Sequence, residues 1–208
     1  MNRTAVDKFV LAINARSNNY GVMLSADTTP ELGEYFALLM RWNERLHLVA
    51  PCSPEDFATR HVLESLLLLK LLPTSAQIAD VGSGAGLPII PCLIARPDLN
   101  ATLIESSQKK SVFLREALNQ LGMSNRAAII AKRFEEISAP DVGFVTCRAL
   151  DQFIPKVPTM ISWAPPKSVL LLFGGERLRQ ALEAIGTQYN EQLIPCSEKR
   201  FLFQVTPV

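Results

Sequence analysis

The chain has 208 residues, of which 48% are hydrophobic and 20% are charged, and its formal net charge is +1. This length allows one sizeable α/β domain with a small extension. The near-neutral charge excludes a general attraction to nucleic acid, so a nucleic-acid site would have to be a local basic patch. The four cysteines are widely spaced and there are only two histidines, so neither a disulfide framework nor a metal site is expected.

No membrane segment and no leader are expected. The mostly apolar run Leu66–Leu72 is far shorter than the roughly 20 residues that a membrane-spanning helix needs. The N-terminal residues lack an apolar stretch followed by a small-residue cleavage site, so they do not predict a signal peptide. We therefore expect a cytoplasmic protein with no membrane partner.

Residues 1–72 are predicted to form an N-terminal helical extension. Val6, Phe9 and Ile13 recur at the spacing of a first helix. A second helix is expected to begin near Thr28, where a threonine cap precedes a proline and an acidic residue, and to run to about residue 45. A third is expected to run from a cap at Ser53 to about residue 72, where the next residue is a proline.

Residues 73–208 are predicted to form a single compact α/β unit, because strand-like and helix-like segments alternate there, which is typical of a parallel sheet. The expected strands are 77–81, 101–104, 127–130, 143–146 and 168–173. The expected helices are 88–95, 108–122, 151–163 and 176–186. Two last strands, 191–195 and 201–205, have a short connection and should form an antiparallel hairpin at the sheet edge.

A glycine-rich turn follows the first predicted strand and precedes a helix start. Gly82, Gly84 and Gly86 can adopt backbone angles that a Cβ forbids, and they allow a ligand to approach the main chain. We expect their N–H groups to face a cofactor at the carboxyl end of the sheet. Asp80 should hold either the turn or a cofactor ammonium group.

The spacing of these glycines differs from the G-x-G-x-x-G pattern of dinucleotide binders, because Leu87 stands where the third dinucleotide glycine would fall. This bulky residue leaves less room for a pyrophosphate, which argues against an NAD-dependent oxidoreductase. An adenosine cofactor without a pyrophosphate fits better, and S-adenosylmethionine is the candidate. Glu105 follows the second strand, where a carboxylate can accept hydrogen bonds from ribose hydroxyls.

Three further candidates follow the third and fourth strands, at the same edge of the sheet. Phe134 is either a core residue or a cover for an adenine ring, and Glu135 could bind the adenine amino group. Arg148 could anchor a phosphate or carboxylate bidentately, or be an ordinary surface arginine. It is the one candidate catalytic residue, and no Ser/His/Asp arrangement is evident.

Several motifs together resemble one family, the bacterial small-subunit (16S) ribosomal RNA guanine-N7 methyltransferases, also called glucose-inhibited division protein B. The resemblance covers about residues 31–205. The matching pieces are Arg41-Trp42-Asn43, Arg60-His61, Glu64-Ser65-Leu66, the segment from Asp80 to Pro88, Lys109-Lys110, Phe113-Leu114-Arg115 and Arg148-Ala149.

This resemblance implies a Rossmann-like class I methyltransferase fold, with a seven-stranded, mostly parallel sheet and an N-terminal helical extension. It implies contacts to S-adenosylmethionine from the residues that match the family's positions, which are Gly82, Leu87, Phe134, Glu135 and Arg148. The implied reaction forms 7-methylguanosine in small-subunit ribosomal RNA. Guanine N7 has a free lone pair, so the transfer requires positioning rather than a general base.

The candidate RNA contacts come from the third predicted helix and from the basic stretch that flanks the glycine loop. These are Arg60, His61, Lys109, Lys110, Arg115, Lys132 and Arg133. We expect the partner to be small-subunit ribosomal RNA or a ribosomal particle, and the protein to be a monomer without metal.

Two alternatives stay open at this point. One is a methyltransferase acting on another RNA or a small molecule, because the chain departs from the family pattern at His47-Leu48-Val49, Cys147–Leu150 and Phe173–Gly175. The other is a non-catalytic ribosome-assembly or RNA-binding factor on the same fold.

Overall fold

The structure is a computed structural model that describes residues 3–148, 150 and 152–207. Two predicted positions, Ala149 of the family motif and Asp151 at the expected start of a helix, lie outside the described residues.

The described residues form seven α-helices and seven strands: three helices come first, and from residue 77 strands and helices largely alternate, as the sequence predicts. The helices are α1 (Arg3–Arg16), α2 (Thr28–Leu46), α3 (Pro54–Phe57), α4 (Ile89–Ala95), α5 (Gln108–Gln120), α6 (Phe153–Trp163) and α7 (Glu176–Ile185). The strands are β1 (Gln77–Val81), β2 (Asn100–Ile104), β3 (Ala127–Ile130), β4 (Phe144–Cys147), β5 (Val169–Gly174), β6 (Gln188–Leu193) and β7 (Phe201–Thr206).

The strands form one seven-stranded sheet in the order β3-β2-β1-β4-β5-β7-β6. Strands β1 to β5 are parallel, and β7 is antiparallel to both β5 and β6. The predicted mostly parallel sheet and its edge hairpin are therefore confirmed. The strand order reverses between β1 and β4, and ligands bind at such a switch point in open α/β sheets.

The third predicted helix is less regular than expected. After α3 the chain continues as a π-helix over Ala58–Leu63 and a 3₁₀ turn over Leu66–Lys70. The hydroxyl of Thr59 donates to the carbonyl oxygen of Glu55 at 3.0 Å, and bonds of this kind compete with the helical ladder. The irregularity lies where two main-chain carbonyls turn towards the end of β4, as described below.

Strand β6 begins three residues earlier than predicted. Its residues, Gln188–Leu193, are mostly polar and exposed, so the apolar alternation that marks a strand is missing from them. The strand pairs only with β7 and is therefore an edge strand, and five of its six residues are exposed. Ile194 is almost fully buried, which explains why apolar spacing placed the strand too late.

Aromatic packing joins the N-terminal helices to each other and to α5. Phe9 stacks on Phe36 with ring centroids 4.6 Å apart, and Phe57 lies 5.2 Å from Phe36. Trp42 of α2 meets Phe113 of α5 edge to face at 5.9 Å. Each fully buried phenylalanine contributes about 1.5–3 kcal/mol of transfer free energy. The helices share one apolar core with one face of the sheet, and α6 and α7 cover the other face. The domain boundary at residues 72 and 73 stays a prediction.

Candidate functional site

A cavity of about 700 Å³ opens at the carboxyl ends of β1, β2 and β4. It is lined by seven of the nine predicted cofactor residues, which are Gly82, Gly84, Leu87, Glu105, Phe134, Glu135 and Arg148. The remaining two, Asp80 and Gly86, are not part of its wall.

The glycine loop takes its shape from three residues with positive φ. Gly82, Gly84 and Gly86 have φ values of +74°, +52° and +82°. A Cβ on Gly82 would lie 2.6 Å from a methyl carbon of Leu150, whereas a Cβ on Gly84 would lie no closer than 3.7 Å to its nearest neighbour. The space above Gly84 is therefore open to the cavity, as a close main-chain approach by a ligand requires.

The N–H groups of these glycines already have acceptors inside the protein. Gly82 donates to the carbonyl oxygen of Ile104 at 2.8 Å, and Gly86 donates to that of Ser83 at 2.6 Å. Gly84 donates to Oε2 of Glu105 at 2.8 Å. All three N–H groups are therefore already bonded in this geometry, and their donation to a cofactor stays a prediction.

Glu105 is held rigidly at the wall of the cavity. Its Oε2 accepts from Gly84, and its Oε1 accepts from the N–H of Ser107 at 2.8 Å. Each carboxylate oxygen has a further lone pair, so Glu105 keeps the capacity to accept hydrogen bonds from a ligand hydroxyl.

Asp80 lies fully buried beneath the loop. Neither carboxylate oxygen has a hydrogen-bond partner among the described residues. Desolvation raises the pKa of Asp80 to about 8, with the nearby Glu105 acting in the same direction. The turn is held by main-chain bonds and by the hydroxyl of Ser83, which donates to the main-chain oxygen of Asp80 at 3.0 Å. The carboxyl group itself therefore does not hold the turn, and it lies outside the cavity wall.

Phe134 and Glu135 form one wall of the cavity. Phe134 is buried and packs edge to face on Trp163, with ring centroids 5.4 Å apart, so it is at once a core residue and a wall residue. Glu135 forms an ion pair with Lys156 at 3.5 Å. Both partners are nearly one-third exposed, and such pairs contribute at most about 1 kcal/mol. A ligand can therefore separate them at small cost.

Arg148 is neither a surface residue nor free to bind a ligand with all of its donors. It donates to Oε2 of Glu64 at 3.1 Å and to the main-chain oxygens of Arg60 and His61. Its guanidinium also lies 5.3 Å from the ring centroid of Phe173. Arg148, the predicted ligand anchor, therefore mainly connects the end of β4 to the π-helix, and one side of its side chain lines the cavity.

Glu64 also connects these two elements to the segment before β7. Its side chain is only 1% exposed, and its Oε1 lies 2.5 Å from a guanidinium nitrogen of Arg200, which precedes β7. We call Arg148, Glu64 and Arg200 the Glu64 joint.

His61 lies at the cavity wall, with its ring 5.0 Å from that of Phe57. Burial, together with the positive charges of Arg148, Arg60 and Arg200, lowers the pKa of His61 to about 4. The imidazole is therefore neutral near pH 7 and carries no charge towards a bound base.

The predicted RNA-contacting residues divide into two groups. Lys110, Lys132 and Arg133 line the cavity together with His61, whereas Arg60, Lys109 and Arg115 lie outside it. Lys156, which no sequence pattern singled out, adds another positive charge to the rim.

Two other residues were also missed, and both connect α2 to the cavity. The hydroxyl of Tyr35 is buried and donates to the main-chain oxygen of Ala85, in the glycine loop, at 2.7 Å. The amide of Asn43 bonds both the N–H and the carbonyl of Val49, which shapes a segment at the cavity wall. Asn43 belongs to a recognised motif, but Tyr35 looks like an ordinary core residue in the sequence.

Comparison with known proteins identifies the family. A family model described as GidB, rRNA small subunit methyltransferase G, matches residues 28–198. The chain belongs to the GidB family. A ribosomal RNA small subunit methyltransferase G from Sorangium cellulosum is 38% identical over 169 residues, covering 78% of this chain and 70% of that protein. One from Halorhodospira halophila is 35% identical over 170 residues, covering 82% and 80%.

Solved structures support the fold. A ribosomal protein L11 methylase from Lactobacillus delbrueckii subsp. bulgaricus superposes with a TM-score of 0.58 at 12% identity, covering 71% of this chain and 78% of that one. A SAM-dependent methyltransferase from Aquifex aeolicus gives 0.54 at 15% identity, covering 72% and 92%. Family and fold together confirm a class I, S-adenosylmethionine-dependent ribosomal RNA methyltransferase.

The described part of this GidB chain contains neither a metal-binding cluster nor a membrane-spanning helix. No group of three or more His, Cys, Asp or Glu side chains there could hold a metal ion. No described helix has the length and apolarity needed to cross a membrane.

Proposed function

We propose that this protein transfers a methyl group from S-adenosylmethionine to N7 of a guanine in small-subunit ribosomal RNA, acting as a monomer without metal. The observation that carries the proposal is the cavity at the switch point of the sheet. It combines an open glycine loop with a basic rim, formed by Lys110, Lys132, Arg133 and Lys156.

The residues of the cavity fit this cofactor. The open space above Gly84 accepts a close approach, and Glu105 offers acceptor positions for ribose hydroxyls. The unpartnered carboxyl group of Asp80 lies beneath the loop, outside the cavity wall, so in this geometry it does not reach the ammonium group of the methionine part. Phe134 and Glu135 would flank the adenine, with Glu135 exchanging Lys156 for the adenine amino group.

The chemistry asks little of the protein beyond placement. The cofactor supplies a methyl group on a sulfonium, and guanine N7 has a lone pair and no proton to remove. Holding the two in line contributes several kcal/mol to lowering the barrier. The neutral His61 adds no charge near a base that becomes cationic, and the carboxylates of Glu105 and Glu135 favour that charge.

We further propose that the substrate is a ribosomal particle or assembly intermediate. Affinity for naked RNA comes mainly from neutralised phosphates, and a net charge of +1 with one local basic rim provides few of them. Selecting one guanine then depends on the shape in which bound ribosomal proteins hold the loop.

The test is a tritiated-methyl assay on purified small subunits, on the same RNA stripped of protein, and on unrelated RNA. Mass spectrometry of the labelled nucleosides identifies the methylated atom. We expect 7-methylguanosine at one site, with intact particles labelled fastest. Faster labelling of stripped RNA would overturn the particle proposal, and a different methylated atom would overturn the guanine-N7 proposal.

A further inference from the structure

A second cleft lies beside the cavity and is lined by polar side chains. It has a volume of about 420 Å³ and lies between the end of α1, the π-helix and the segment before β7. Its lining residues are Arg16, Asn19, Tyr20, Asp56, Thr59, Arg60, Cys196 and Arg200. We call it the arginine cleft.

The charge in this cleft is unbalanced. Three arginines face one acid, and Oδ2 of Asp56 already accepts from the hydroxyl of Ser53 at 2.8 Å. Arg200 is paired with Glu64. In the part of the chain that the structure describes, Arg16 and Arg60 have no ion pair within 4.0 Å. Like charges gathered without partners repel each other, and an anionic ligand removes that cost.

The arginine cleft and the cavity share a wall. Arg60 lines the cleft, and the next residue, His61, lines the cavity. Arg148, which also lines the cavity, donates to the main-chain oxygens of both residues and so fixes this wall. The cleft and the cavity are therefore separated by this one wall.

We propose that the arginine cleft binds a backbone phosphate of the RNA strand that delivers its base to the cavity; this inference rests on the proposed function. Guanidinium groups bind phosphate oxygens bidentately, and Arg16 and Arg60 have their donors free of ion pairs. Phosphate contacts of this kind set the position of a strand without reading its sequence. The cleft thus acts on where the RNA lies, and the cavity acts on which base is methylated.

The experiment compares Arg16→Gln/Arg60→Gln with the matched control Arg3→Gln/Arg177→Gln, which removes two exposed arginines outside both clefts. Arg200 is left unchanged because its loss would disturb Glu64. The measurements are the KM for purified small subunits, the salt dependence of single-stranded RNA binding by filter assay, and the Kd for S-adenosylmethionine by calorimetry.

We expect the cleft variant to raise the KM for small subunits at least tenfold. The slope of log affinity against log salt should fall by about 0.7, since the proposed site holds one phosphate and each phosphate contact to a single strand contributes about 0.7. Arg16→Lys/Arg60→Lys should recover part of the loss, and the Kd for S-adenosylmethionine should stay within twofold of the wild type. A KM and a salt slope equal to those of the control would overturn the proposal.

Failure of the proposed function gives a different pattern. In that case the wild-type protein labels no ribosomal RNA, and only the filter assay tests whether the arginine cleft binds phosphate. Reduced RNA binding by the cleft variant alone then supports the phosphate site, and equal binding by both variants refutes it.

Discussion

Replacing Arg148 should destabilise the fold as well as affect function. Arg148→Met keeps an unbranched apolar stem against Phe173 but removes the charge that faces Glu64. Because the Glu64 side chain is only 1% exposed, its carboxylate cannot gain water in exchange. Breaking a buried ion pair from one side costs about 3–5 kcal/mol.

The second partner of Glu64 in the Glu64 joint reduces the expected loss of stability. Arg200 stays 2.5 Å from the other carboxylate oxygen, so half of the compensation remains. We therefore expect a loss of about 3 kcal/mol in the free energy of unfolding. For a chain of this length, that lowers the Tm by roughly 6–12 °C. Urea denaturation at pH 7, followed by circular dichroism, measures the free energy.

A double variant tests the mechanism. Arg148→Met/Glu64→Leu removes the stranded carboxylate, and Arg200 is 35% exposed, so water solvates the freed guanidinium. The double variant should therefore be more stable than Arg148→Met alone. A single variant within 1 kcal/mol of the wild type, or a double variant less stable than the single one, would refute the reasoning.

Three further predictions concern the loop and its support. Asp80→Asn should flatten the pH dependence of stability. The pKa of Asp80 in the folded protein is about 8, so between roughly pH 4 and 8 the folded protein holds a proton that the unfolded chain has lost, and the free energy of unfolding of the wild type falls by up to about 1.4 kcal/mol per pH unit. An unchanged slope for the variant in a series of denaturation measurements across this pH range would contradict the prediction. Gly84→Ala should weaken S-adenosylmethionine binding in calorimetry at least tenfold, whereas Gly122→Ala, with the same positive φ and open space, should not; equal affinities contradict the open-loop argument. Tyr35→Phe leaves the buried main-chain oxygen of Ala85 without its hydrogen-bond donor, so the free energy of unfolding should fall by about 1–3 kcal/mol and the Kd for the cofactor should rise several-fold. An unaltered Kd, measured well below the Tm, would show that Tyr35 has a purely structural role.

The sheet was predictable because its strands are short apolar runs bounded by turns. Strand β1 matches its predicted bounds, and β3 does as well. Strand β6 was misplaced because its residues are polar, and the π-helix at Ala58–Leu63 has no marker in apolar spacing.

The site was only partly predictable. Residues that follow strands, such as Glu105 and Phe134, could be placed at the sheet edge from strand order alone. The partners of Arg148 could not be predicted, because Glu64 lies 84 positions earlier in the chain. Tyr35 was equally hidden, since a buried hydroxyl within an apolar helix face gives no sign of its distant partner.

The Glu64 joint also restricts the order in which these positions can change during evolution. A substitution of Arg148 that comes first leaves a buried negative charge with one partner, whereas a neutral residue at position 64 removes that charge before Arg148 is lost. The same two substitutions are therefore tolerated when position 64 changes first and selected against when position 148 changes first. Lineages without an arginine at position 148 should also lack an acid at position 64.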